Sequence, residues 1–414
     1  MRIGFQTWGS EGDVRPLIAL ADHLAGRGHT VTVIATPLGR IEEPPPCPGR
    51  TLRLIPDGPG ADLEAFSRGL GDRPSPLAVM RRLIVDLFRP VLPAMEAAAR
   101  DLAADHDVLV GHFLVHPLLA AARARHRPYV SVCYAPLIVP TAYAPPQALP
   151  NLGRWLNPLL WKLEDRVLAR MLGQDCREGF ARLGAGPAPT KVRDAWLSTR
   201  LNLIAASPAL CPRPRDWPDH HVLTGEFIRP SAPPPLPQAV AEFLAAGEPP
   251  VFLGLGSVQQ TRPQDITVQL VEAARCWGGR TIVRSLAPGM PPGTVDGRIL
   301  YAGPMDHRAL FSRCAGVVHH GGAGTSHATA RAGVPSVVLA GIDEQTRWGK
   351  ALQRAGAAPP PLRLRKCTPD GIAQAIRQAL EPQPIQAARV LAKRMAGEDG
   401  LAEAARQIEA LLPG

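Results

Sequence analysis

Lysine is scarce in this 414-residue chain. Only five of its 46 basic residues are lysine, so arginine carries the formal net charge of +10. Those arginines are scattered, and the densest group, Arg81, Arg82 and Arg89, has no interleaved aromatics. Single-stranded nucleic acid is held by basic grooves lined with stacking rings, so no nucleic-acid partner is expected. No apolar run reaches the length of a membrane span, and residues 1–8 enter a strand pattern directly instead of forming a secretory leader. A cytoplasmic protein with at most transient membrane-surface contact is expected. The seven cysteines are odd in number, widely spaced and without a C-x-x-C pair, which fits reduced thiols rather than a disulfide framework or a zinc site. No polar low-complexity tract and no short-period repeat occur, so disordered, fibrous and solenoid classes are excluded.

What the chain has in excess is proline and glycine, 46 and 39 residues, about a fifth of the total against a usual share of roughly 12%. With alanine and arginine this matches the codon bias of a GC-rich genome, and it also punctuates the chain heavily. Between the breaks, strands are predicted over residues 2–7 and 30–35. A helix over 14–27 joins them, with Leu17, Leu20, Ala21 and Leu24 on one face. That βαβ unit points to a parallel sheet with helices on both faces. The rhythm returns at 107–111, 118–125 and 128–133. Residues 56–95 and 136–196 read as long, proline-rich irregular loops carrying Trp155, Trp161, Phe180 and Trp196, and loops of that length are usually functional.

A proline-rich stretch at 229–250 reads as an interdomain linker. After it a second α/β rhythm begins. Strands are expected over 251–255, 280–284, 299–301, 315–319 and 336–339, with helices over 264–276 and 326–332. The 368–412 stretch reads as helices broken near Pro382 and Pro384. Two doubly wound parallel-sheet domains follow, with boundaries at 1–228 and 251–387 about the linker.

Two turns carry the chemistry. After the first strand comes Gly9-Ser10-Glu11-Gly12-Asp13. It lacks the G-x-G-x-x-G of a dinucleotide fold, and the second strand ends Ala35-Thr36-Pro37 without an acidic residue for a ribose. NAD binding in the first domain is thereby disfavoured. Asp13 stands where a parallel sheet opens its ligand crevice, and it also stands where a helix takes an ordinary N-cap. The second turn is richer. A strand delivers His319 and His320, and Gly321, Gly322 and Gly324 let a ligand approach the backbone. Thr325 and Ser326 then begin a helix whose positive end favours a diphosphate. A tight turn with incidental histidines is the alternative. Gly254, Gly256 and Ser257, which also follow a strand, are the candidate for a second anion nest. One strand further on, Asp343, Glu344 and Gln345 suit sugar hydroxyls, or else make an exposed acidic loop. Asp105-His106-Asp107 has a metal-binding D-x-D look but opens a strand in the first domain, away from the expected phosphates. His112 and His116 follow that strand.

Taken together, HHGGAGT at 319–325, AGVP at 332–335, Glu344-Gln345 and GSEGDVRP at 9–16 resemble the nucleotide-sugar-dependent glycosyltransferases of the UDP-glucuronosyl/glucosyltransferase superfamily. The resemblance is closest to the bacterial branch that glycosylates antibiotics, other natural products, sterols and lipids. It spans nearly the whole chain and is weakest over 40–100 and 135–200. It implies a GT-B fold: two Rossmann-like domains facing across a cleft, acceptor in the first, nucleotide sugar in the second, and a C-terminal helix (388–414) crossing back. It implies an inverting transfer without metal or other cofactor, from a UDP- or TDP-sugar to a hydroxyl of a small, largely apolar acceptor. Asp13 matches the general base. Ser257, His320, Gly322, Gly324 and Thr325 match diphosphate positions, Met305 and His307 flank the nucleotide base, and Glu344 and Gln345 match the donor-sugar pair. His112 is a candidate acceptor contact. The chain departs from the family with Pro304 and His307 where Trp and Gln are frequent, with Ala328 where many relatives carry a ribose-binding glutamate, and with Glu344 for the usual aspartate. A nucleotide-sugar epimerase and an inactive nucleotide-binding paralogue are the rival readings. A monomer or homodimer is expected.

Overall fold

The computed structural model describes the chain except for residues 39–40, 42–43, 56–79, 148, 231, 257–262, 286–288 and 412–414. Two compact units emerge. The first comprises Met1–Pro208, Arg213–Arg229 and Asp399–Gly414, and the second Ala209–Pro212 and Pro230–Glu398.

The first unit is built on β1 (Arg2–Gly9), β2 (Thr30–Pro37), β3 (Arg50–Leu54), β4 (Val108–His112), β5 (Tyr129–Cys133), β6 (Leu201–Ile204) and β7 (His221–Leu223). They lie in the order β3-β2-β1-β4-β5-β6-β7, every pair parallel. The inner strands are near-continuous apolar runs because both faces are covered. Alternate residues sort to opposite sides. Ile3, Phe5, Val108, Val110, Val130 and Val132 pack against α1 (Glu11–Gly26) and the C-terminal helix (Gly400–Glu409). Leu109 and Tyr129 face α2 (Leu92–Asp105), α3 (His116–Ala124) and α4 (Asn157–Arg182).

Here the structure corrects the loop expectation for 136–196, because the 26-residue α4 runs through its middle. Its apolar pattern is hard to read as a face, since Trp161 is buried while Leu159 and Leu163 on neighbouring positions are exposed. The inner side is fixed by polar contacts instead: Arg193 bonds Glu164 at 2.6 Å and Asp165 at 2.9 Å. Of the other expected loop, residues 56–79 lie outside the described residues, and 83–95 are helical, leading into α2.

The second unit repeats the plan with β8 (Val251–Leu253), β9 (Thr281–Arg284), β10 (Val295–Asp296), β11 (Ile299–Ala302), β12 (Gly316–His319), β13 (Ser336–Ala340) and β14 (Leu362–Arg363). Their order is β10-β11-β9-β8-β12-β13-β14, and only the β10–β11 pair is antiparallel. Val251, Leu253, Ile299, Tyr301 and Val318 pack against α6 (Pro263–Trp277) and α9 (Pro369–Ala379). Phe252, Leu300, Ala302 and Val317 take the other face with α5 (Gln238–Ala245). Within the proline-rich stretch 229–250, α5 thus contributes Val240 and Leu244 to this core. The other long helices of this unit are α7 (Ala323–Ala332), α8 (Asp343–Arg354) and α10 (Pro382–Met395), and short helical turns span His307–Leu310 and Phe311–Arg313. Of the stretch 388–414, the end of α10 belongs to the second unit and only the C-terminal helix to the first.

Strand order locates the crevices. In the first unit the chain moves from β1 out to β2 and β3, then returns to place β4 on the other side of β1. In the second it moves from β8 to β9 and β11, then returns to place β12 beside β8. Open parallel sheets bind ligands beyond the carboxyl ends of the strands at such reversals. Those ends carry Gly9 and His112 in one unit, and Gly254–Gly256 and His319–His320 in the other.

Candidate functional site

In the first unit the reversal brings Asp13 and His112 together. Gly9 leaves β1 with φ +137°, and Ser10 starts α1 with Asp13 at its third position. One oxygen, Asp13 Oδ2, accepts from both the Ser10 N–H and the Ser10 hydroxyl at 2.8 Å. The other, Oδ1, lies 3.9 Å from His112 Nε2 at the end of β4. Asp13 is therefore the capping-box partner of Ser10 rather than the N-cap itself, and capping occupies only half of its carboxylate. Its side chain is 32% exposed, so Oδ1 remains approachable. Glycine at position 9 is demanded twice, by its φ and because a Cβ would stand 2.5 Å from Asp13 Oδ2.

His112 is 2% exposed. Its Nδ1 is 3.3 Å from the Trp8 carbonyl, and its Nε2 is buried without a hydrogen-bond partner in the structure. Burial lowers its pKa, opposed by the Asp13 carboxylate and then by the Trp8 carbonyl, so the neutral ring is favoured. Tyr134, which sequence reasoning did not single out, donates its hydroxyl to the Asp13 backbone carbonyl at 2.6 Å and sets its ring 4.9 Å from that of His112. Asp13 is thus held by its side chain and by its backbone. The D-x-D look-alike is occupied structurally: Asp107 accepts from the Arg2 N–H at 2.9 Å and its guanidinium at 3.1 Å, and the His106 ring is bonded to Leu102 and Thr32. His116 is buried in the other layer beside Phe88, away from Asp13.

In the second unit the turns after β8 and β12 meet. Gly256, at φ +58°, and Gly322 both abut the His320 ring; a Cβ on Gly256 would stand 2.9 Å from His320 Cε1, and one on Gly322 would collide with Nε2. Gly321, at φ +84°, lets the β12 turn pack closely against the start of α8, where a Cβ on residue 321 would stand 2.7 Å from the Gln345 carbonyl. Gly322 caps α7, whose first internal bond is Ser326 N–H to Gly322 O at 2.9 Å. The N–H groups of Ala323, Gly324 and Thr325 precede it and point along the helix toward the turn. α7 begins three residues earlier than the sequence pattern suggests, so Thr325 lies within the first turn and Ser326 is fully buried. Gly324 is different from its neighbours. Nothing lies within 4 Å of the place its Cβ would take, so the fold itself does not require glycine there.

The imidazoles around this turn are neutral. Burial, then His307 and Arg284, lower His320 to about 4. His307 reaches about 4 for the same first cause, with Arg284 next. Its ring stacks on Phe311 at 4.5 Å, and Met305 packs against the same cluster. Arg284, the last residue of β9, was missed by sequence reasoning; its place at a strand's carboxyl end was the available signal. His319 Nδ1 accepts from the Gly321 N–H at 3.1 Å, holding the turn. Gln345 Oε1 accepts from the N–H groups of Gly341 at 2.7 Å and Ile342 at 3.3 Å, which commits its oxygen to the loop and leaves the amide nitrogen for other contacts. Glu344 Oε1 lies 3.4 Å from Trp348 Nε1. Ser257 lies outside the described residues.

Residues 292–411 match the family described as erythromycin biosynthesis protein CIII-like, C-terminal domain. The chain is 30% identical to the O-mycaminosyltylonolide 6-deoxyallosyltransferase of Streptomyces fradiae, over 99% of this chain and 97% of that enzyme. It is 31% identical to the vancomycin aglycone glucosyltransferase of Amycolatopsis orientalis, over 98% and 96% respectively. Among solved structures, the glycosyltransferase VinC in complex with DTDP superposes with a TM-score of 0.66 at 20% identity, covering 99% of both chains, a likeness of fold.

Proposed function

This chain is a glycosyltransferase of the GT-B fold, a member of the antibiotic glycosyltransferase family shared with those enzymes, and on that premise we propose a metal-independent inverting transfer. The donor is a TDP- or UDP-sugar, and the acceptor a hydroxyl of a small, largely apolar molecule such as a natural-product aglycone, sterol or lipid. One observation carries the donor assignment. At the reversal of the second sheet, His320 is clasped between two glycines at the start of α7, and Gly324 in the first turn of that helix borders open space that a ligand can enter. A diphosphate supplies the negative charge that such a helix end favours.

In this mechanism the acceptor hydroxyl gives its proton to Asp13 Oδ1 as its oxygen attacks the anomeric carbon from the face opposite the leaving group. The new C–O bond forms as the bond to the nucleotide diphosphate breaks, inverting α to β. Charge then gathers on the diphosphate, where the N–H groups of Ala323, Gly324 and Thr325 and an N–H of the neutral His320 ring stabilise it. Glu344 and the amide nitrogen of Gln345 hold donor-sugar hydroxyls, and Met305 and His307 border the base. The relatives' substrates support this acceptor class, and VinC's bound DTDP supports a thymidine donor. All seven cysteines are free thiols, which supports a reducing, cytoplasmic setting.

The test is calorimetry with UDP, TDP and their sugars in the presence and absence of a chelator, followed by transfer to a panel of aglycones and assignment of the product anomer. Binding and turnover that survive chelation, with a β-linked product from an α-donor, are expected. A retained configuration, or activity abolished by the chelator and restored by a divalent cation, would overturn the mechanism.

A further inference from the structure

The start of α4 presents an apolar surface that the fold leaves open. Leu152, Trp155, Leu156, Leu159 and Leu163 are all exposed, Trp155 at 79%. Leu159 and Leu163 are one turn apart on the same side of the helix. Loose packing does not explain the exposure, because the inner side of the same turn is anchored. Trp161 is buried and donates its Nε1–H to the carbonyls of Thr141 at 3.0 Å and Ala144 at 2.9 Å. Asn157 donates to the Ala142 carbonyl at 2.9 Å.

Charge on this face has one sign. Lys162, Arg166 and Arg170 follow one another at four-residue spacing in a row beside the leucines, and all three are exposed. Arg154 adds a fourth cation, its guanidinium 4.5 Å above the Trp155 ring. None of the four has a carboxylate partner among the described residues. The nearby acids, Glu164 and Asp165, are drawn inward to Arg193. An apolar stripe with tryptophan and leucine, bordered by unpaired cations, has the composition of a surface that lies in a lipid interface.

We propose that this face seats on an anionic bilayer surface, with Trp155, Leu156, Leu159 and Leu163 at the headgroup–acyl boundary and the four cations on lipid phosphates. A second copy of the chain fits poorly. A twofold contact sets the same patch against itself, bringing like charges together. No helix among the described residues is long and apolar enough to cross a membrane, so the contact is a lateral one. It stands independently of the donor and acceptor assignments.

Flotation of the full chain with vesicles of phosphatidylcholine alone, and of phosphatidylcholine mixed with phosphatidylglycerol, tests this. The wild type should float with the anionic vesicles and be released by salt. Lys162→Gln with Arg166→Gln should weaken binding roughly thirtyfold, two basic residues near an anionic surface contributing about 1 kcal/mol each. Leu159→Glu with Leu163→Glu should abolish it, with unfolding midpoints unchanged because the replaced side chains are exposed. The proposal is overturned if the wild type does not float or if the variants float as it does. It is equally overturned if sedimentation shows a wild-type dimer that the leucine variant dissociates.

Discussion

Replacing Asp13 with asparagine separates two roles that one carboxylate fills. The capping role is nearly conserved, because an amide oxygen can accept the same two 2.8 Å bonds from Ser10 that Oδ2 accepts. What is lost is charge at the start of α1, a contribution of about 0.3–1 kcal/mol, plus the extra strength of charge-assisted bonds. A stability cost of about 1 kcal/mol follows, against about 1–2 kcal/mol for Asp13→Ala, which loses the cap as well. The proposed base role is conserved by neither, since an amide does not take up a proton at neutral pH. Turnover should fall by roughly 10²–10⁴ in both variants, equivalent to about 3–5 kcal/mol on the barrier. The stability loss is too small to produce that fall in rate. Initial rates of nucleotide diphosphate release at saturating donor, urea unfolding, and donor binding by calorimetry measure the three quantities separately. Donor affinity should be nearly unchanged, because in the proposed mechanism Asp13 meets the acceptor hydroxyl and holds neither the diphosphate nor the donor sugar. Asparagine turnover within about twofold of wild type would refute the base assignment, and the carboxylate would then be a cap alone.

Other outcomes follow from the second unit and from the buried histidines. His320→Ala should weaken donor binding by roughly ten- to a hundredfold, the loss of one hydrogen bond to a charged group; an unchanged donor KM would place the diphosphate elsewhere. Gly324→Ala should stabilise the ligand-free protein by up to about 1 kcal/mol, because alanine is the better helix former and nothing obstructs its methyl. The same change should weaken donor binding, and equal affinity would mean that α7 does not hold the phosphates. Burial lowers His116 and His327 to about 4, so between that value and the unfolded value near 6.5 the unfolded chain binds more protons. Stability is therefore complete above pH 6.5 and falls on acidification, by on the order of 2 kcal/mol for each histidine at pH 5. Urea unfolding at pH 7 and 5 checks this, and a profile that His116→Gln and His327→Gln leave unchanged would refute it.

The sheets were legible because parallel strands covered on both faces are apolar almost throughout, as in 108–112 and 129–133. The glycine turns were legible because their backbone demands are local: Gly9, Gly256 and Gly321 all take positive φ. β3, with its Arg50, Thr51 and Arg53, was not legible, since an edge strand has one neighbour and few buried positions. Neither was α4, whose inner side is fixed by Arg193 and Asn157 rather than by an apolar stripe. At the candidate site, Asp13 and His320 were visible in motifs of contiguous residues. Arg284 and Tyr134 were not, because strand order alone brings them near residues far away in sequence.

The last helix gives the chain an unusual order of completion. Leu401, Ala404, Ala405 and Ile408 complete the layer that covers Ile3, Phe5 and Val14, and Glu409 bonds Arg27 at 2.7 Å and His29 at 2.9 Å. On the ribosome, the first unit is therefore the first to be synthesised and the last to be finished. Its sheet waits with one face partly uncovered while residues 230–398 emerge and close a core of their own. A nascent chain in that interval exposes an apolar face that aggregation or a chaperone can reach. A protein cut short after Glu398 would lose the integrity of its beginning rather than of its end.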